Sequence, residues 1–95
     1  MKALLTRREF KQWLESLTPD TRPCQYPHVC PLNAYISNRD GISTEGVHVD
    51  GTGLISVGKR VSRPPRWRAE FVRRVDQNPW HQYTAADLLE ILGEC

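Results

Sequence analysis

The residues whose types and spacing could do chemistry fall in three places. The first is RPCQYPHVCPLNAY, residues 22–35, where Cys24, His28 and Cys30 sit within seven positions among three prolines. Thiolates and imidazoles are zinc ligands, and a structural site usually takes four, often as CxxC or HxxxH pairs. Cys24-x3-His28-x-Cys30 supplies three, and His48, His81 or Cys95 would have to be brought in by the fold. A minor structural zinc domain is therefore an alternative reading, and no metal or other cofactor is expected. A Cys24–Cys30 disulfide is not expected, because a cytoplasmic chain keeps its thiols reduced. A thiol at a helix N-terminus can be activated by the dipole. No Lys or Arg lies within three positions of Cys30, however, so a small buried thiol at a helix start is the reading adopted.

The second place is residues 59–75. The chain carries a formal net charge of +2, but that charge is segregated. Residues 1–58 balance to zero, residues 59–75 hold seven Lys/Arg against Glu70, and residues 76–95 hold only Asp76, Asp87, Glu90 and Glu94 as charged groups. Arginine is a bidentate donor to phosphates and carboxylates. Lys59, Arg60, Arg63, Arg66, Arg73 and Arg74 are therefore the candidate partner-binding residues, with Arg68 laying its stem on the apolar arc. The opposing expectation is a solvated face, neutralised by the acidic last helix within one molecule or across a homodimer. The third place is His48 and Asp50, two apart on one strand, which could form a base–orienter pair. No GxSxG, P-loop or paired-carboxylate motif accompanies them. The chain is expected not to be an enzyme.

The elements that must position these residues are well signalled. Hydrophobic content of 39% and charged content of 25% fit an ordered globular domain, and 95 residues fit one domain spanning 1–95. Thr6 with Glu9 reads as a capping box, and Phe10, Trp13, Leu14 and Leu17 make one apolar stripe of a first helix ended by Pro19. Pro31 opens a second helix over 31–38, with Asn38 and Gly41 ending it. Residues 46–61 alternate with period two. A Gly51-Thr52-Gly53 loop pairs Val49 with Ile55 and Val47 with Val57, with Gly53 left-handed. Pro64-Pro65 leads into a third helix with Trp67, Phe71 and Val75 on one arc. Thr84 and Asp87 cap a fourth with Ala85, Leu88, Leu89 and Leu92 inward, which leaves Ile91 for a partner or self-association to cover. Trp80 and Tyr83 lie in the loop before it, as core caps or binding anchors. The expected fold is a small α+β domain of two helices, a β-hairpin and two helices.

Phe10-x-x-Trp13-Leu14, then Cys30-Pro31-Leu32-x-x-Tyr35-Ile36, Gly41, a hairpin and Trp67-x3-Phe71-Val72-x-x-Val75-Asp76 together resemble a group of small proteins of bacteria and their phages. That resemblance implies no catalytic residues, and it implies that Cys30-Pro31-Leu32 belongs to the fold. The functional expectation is a small non-enzymatic module whose basic helix engages an acidic partner, either nucleic acid or an acidic protein surface. The alternative is an anti-CRISPR-like inhibitor that docks on a host defence nuclease complex. No apolar run approaches a membrane span, so no membrane partner and a cytoplasmic location are expected.

Overall fold

The computed structural model describes residues 5–23, 31–78 and 83–95. Cys24, His28 and Cys30, the candidate zinc ligands, lie outside the described residues, as do Trp80 and His81. The elements are α1 (Arg7–Ser16), α2 (Pro31–Asp40), a 3-10 turn (Thr44–Gly46), β1 (Val47–Val49), β2 (Ile55–Val57), β3 (Arg60–Ser62), α3 (Arg66–Asp76) and α4 (Ala85–Gly93). The chain is a small α+β domain whose three strands form an antiparallel sheet in the order β1-β2-β3.

Local chemistry explains the element ends. The Thr6 hydroxyl accepts from the Glu9 N–H while the Glu9 carboxylate accepts from the Thr6 N–H, a complete capping box. Thr84 and Asp87 repeat that exchange at α4. Each such cap is worth about 1 kcal/mol. The second helix runs two residues beyond 38, and Gly41 follows it with φ +66°. The Ile42 N–H then donates to the Ser37 carbonyl at 3.1 Å, closing the last turn in a Schellman arrangement.

Strands β1 and β2 pair Val47 with Val57 and Val49 with Ile55, the register that the alternating valines require. Gly53 is left-handed, with φ +89°. The sheet goes one strand beyond the expected hairpin. Gly58 has φ +60°, and among the described residues no non-glycine has positive φ, so Gly58-Lys59 forms a two-residue turn of the type with glycine first. That turn sends Arg60–Ser62 back along β2, with Val57 opposite Arg60 and Ser56 opposite Val61.

Phe10 is the hub of the core. Its ring meets Phe71 edge-on at 5.3 Å between centroids, Tyr35 at 5.7 Å and Trp67 at 6.4 Å, so one side chain of α1 joins α2 and α3. Leu14, Leu32, Ile36, Ile55, Leu88 and Leu92 are fully buried in the same cluster. Helix α4 is held at both ends by the α1 region. The Ala85 and Ala86 N–H groups donate to the carbonyls of Thr21 and Pro19, and the Arg7 guanidinium donates to the Leu92 carbonyl at 2.8 Å. Orphan backbone groups of α4 are thus satisfied by a neighbouring segment. Among the described residues no helix is long and apolar enough to cross a membrane.

Candidate partner-binding edge

The six candidate cations separate into two groups. On α3, Glu70 lies within one turn of Arg73 and Arg74 and accepts from both, at 2.5 and 3.0 Å. Arg74 reaches on to Glu94, the C-cap of α4, at 2.8 Å. Hydrogen bonds from Arg73 hold the Glu70 carboxyl below its usual range. The acidic last helix therefore does part of what a solvated-face reading expects. Glu94 meets Arg74, while Glu70 of α3 itself meets both Arg73 and Arg74 within one molecule.

The other group is Lys59, Arg60, Arg63 and Arg66, all exposed. Lys59 is in the turn, Arg60 begins β3, Arg63 follows β3, and Arg66 opens α3 after Pro64-Pro65. Among the described residues none of the four forms an ion pair, although the charge of Arg60 is felt at Asp40, whose carboxyl is lowered chiefly by its hydrogen bond from Arg39. The N-terminus of α3 adds to this positive field. Its cap is Pro65, which has no side-chain acceptor, and its first turn holds no acid.

Arg68 explains why this edge is held in place. Its residue is only 1% exposed, so beyond the stem expected on the apolar arc the guanidinium is inside as well. Nε donates to the Gly53 carbonyl at 2.9 Å, and Nη2 donates to the Ser62 carbonyl at 2.8 Å and the Ser62 hydroxyl at 3.2 Å. One side chain of α3 thereby ties down both the β1–β2 loop and the end of β3. Burial lowers the Arg68 pKa, yet a guanidinium keeps its charge in a protein, so those oxygens are what compensate its desolvation. Gly53 must be glycine here. Its φ is +89°, and an added Cβ would lie 3.1 Å from the Ala69 Cα and 3.2 Å from the Pro64 Cβ.

Asp50 and His48 have different surroundings. The Asp50 carboxylate accepts from the Thr52 N–H, the Thr52 hydroxyl and the Leu54 N–H, so it serves the loop. Those bonds, the Thr52 hydroxyl first, lower its pKa. His48 stands exposed on the outer sheet face, level with Ser56 and Val61 across the strands. Among the described residues no group of three His, Cys, Asp or Glu side chains could hold a metal. Cys95, a free thiol, donates to the Ile91 carbonyl, and burial raises its pKa. Ile91 is half-buried and lines a cavity of about 250 Å³ with Tyr83, Asp87, Glu90 and Glu94.

The strand β3 and the role of Arg68 were both missing from the sequence reading. The signal for β3 was the Gly58-Lys59 pair between Val57 and Val61, within an alternation already evident. Arg68 had no comparable signal, because its acceptors lie 15 and 6 positions away. Comparisons with family models, with curated proteins and with solved structures return no match.

Proposed function

We propose that this protein is a small non-enzymatic binding module that engages an acidic partner through Lys59, Arg60, Arg63 and Arg66. The observation that carries the reading is the contrast in charge compensation. Arg73 and Arg74 have carboxylates at hydrogen-bonding distance, whereas eight consecutive residues, 59–66, hold four exposed cations and no acid. An exposed cation that forms no ion pair among the described residues keeps most of its field for an external anion. A strand, a tight turn and a helix start present these groups on ordered backbone, which lowers the entropy lost on binding.

The test is a titration of the protein against labelled single-stranded DNA, double-stranded RNA and an acidic peptide at increasing salt, read by fluorescence anisotropy. Binding is expected to weaken with salt as counterions are released. Arg63→Glu with Arg66→Glu is expected to weaken it at least roughly tenfold while the unfolding free energy moves by less than about 0.5 kcal/mol. Unchanged binding in that double variant, or no binding of any anionic probe at low salt, would overturn the reading.

A further inference from the structure

The hydrogen-bond pattern of the sheet determines which way the backbone of β3 faces. The Asp50 N–H donates to the Leu54 carbonyl at 3.1 Å, which makes that opposing pair a hydrogen-bonded one. Pairs alternate along an antiparallel ladder. His48 opposite Ser56 is then the next hydrogen-bonded pair, so the backbone groups of Ser56 face β1. Those of Ile55 and Val57 face β3 and bond Ser62 and Arg60. Val61, opposite Ser56, is left with its N–H and C=O pointing away from the sheet, along the outer edge of β3. The Val61 residue is 63% exposed, the exposed large apolar residue among those described. Lys59 and Arg60 stand at one end of this edge, and Arg63 and Arg66 beyond the other.

We infer that the β3 edge takes up a short acidic segment of a partner protein as an added strand, paired through the backbone of Val61. The inference rests on the proposed acidic partner and names its chemistry. A peptide backbone supplies both a donor and an acceptor, as the outward N–H and C=O of Val61 require. A phosphodiester backbone supplies acceptors alone and leaves that carbonyl unmatched. The exposed Val61 side chain offers an apolar contact to a residue of the added strand, and the four cations at the two ends match Asp or Glu around it. The contact is short. The Gly58-Lys59 turn closes one end, and Pro64 and Pro65 have no N–H to continue the ladder at the other. Pairing by strand addition is the usual hazard of an open edge, and the charges around Val61 restrict it to acidic segments.

The experiment uses the full chain and three labelled probes: a seven-residue peptide alternating Glu with Val and Thr, the same peptide N-methylated at every backbone amide, and single-stranded oligothymidylate. The parent peptide is expected to bind at least roughly tenfold more tightly than the methylated one, whose charge is identical. Val61→Pro removes the outward donor, which takes no part in the sheet's own ladder. It is expected to weaken the parent peptide about tenfold and to leave oligothymidylate unchanged. If Val61→Pro loses its circular-dichroism signature, the comparison of parent and methylated peptide decides alone. Equal binding of the two peptides overturns strand addition and leaves a charge-only acidic partner standing. Binding of oligothymidylate with none of either peptide also overturns it, in favour of nucleic acid. Failure of all three probes overturns the partner reading itself.

Discussion

At the β1 edge of the sheet, the Val47 carbonyl accepts from the Asn33 side-chain amide of α2 at 2.7 Å, and the helix and the 3-10 turn pack alongside. At the β3 edge, the backbone of Val61 faces outward, its side chain is exposed, and arginines flank it. One three-stranded sheet thus has one edge covered and one open. The difference shows where the protein spends its internal contacts. The covered edge is joined to the core helices and adds to stability. The open edge is anchored from behind by Arg68, through Ser62 and Gly53, and keeps its front surface clear. Natural sheets usually restrain an open edge with charge and proline, and Arg60, Arg63 and Pro64-Pro65 are placed to do both.

The comparison breaks most severely at Arg68. Arg68→Ala removes a buried side chain and leaves the Gly53 and Ser62 carbonyls without this donor, which should cost roughly 3 kcal/mol or more by urea denaturation. It should also release β3, so hydrogen exchange at Arg60–Ser62 should accelerate more than at β1. A uniform loss of protection across the sheet would mean that Arg68 is simply part of the general core. The next largest effect is expected at the covered edge. Asn33→Ala withdraws the amide from the Val47 carbonyl and should cost about 1–2 kcal/mol. It should raise exchange locally around β1 and leave binding at β3 intact; a variant as stable as the parent would show that the β1 edge is covered by packing alone.

The smallest effect expected is the response of the β1–β2 loop to acid. Asp50 accepts three hydrogen bonds and Glu70 accepts from two arginines, so both carboxyls are lowered in the folded state. A lowered carboxyl stabilises the fold above its unfolded pKa, about 4, and that contribution disappears as pH falls through the folded value. Asp76, raised by burial, contributes in the opposite sense. The melting temperature should therefore decline modestly below about pH 4, and Asp50→Asn should flatten that decline. An unaltered acid profile in Asp50→Asn would place the dependence on Glu70 and on Asp40, which Arg39 also lowers.

Much of the fold was legible because its determinants are local. Thr6 and Glu9, and Thr84 and Asp87, are three positions apart, so both capping boxes are written within one helical turn. The register of β1 and β2 follows from apolar alternation around a loop whose glycine must be left-handed. Of the candidate site, residue types and charge segregation were legible, but their compensation was not. Arg74 and Glu94 are 20 positions apart, and only packing of α3 on α4 brings them together. Arg68 shows the limit most clearly. Its place near the apolar arc was readable, yet a buried stem with a solvated head and a buried guanidinium have the same sequence signature. What differs is whether carbonyls from other elements arrive to accept its donors.

By itself, then, the sequence determined the helices with their caps, the β1–β2 register and a cation-rich stretch at 59–66, because each depends on residues a few positions apart. Only the tertiary structure decided which of the described cations meet a carboxylate, which sheet edge is closed by Asn33 and that Arg68 is enclosed. Those outcomes depend on groups that meet across the fold, where burial sets the cost of leaving a donor or a charge without a partner.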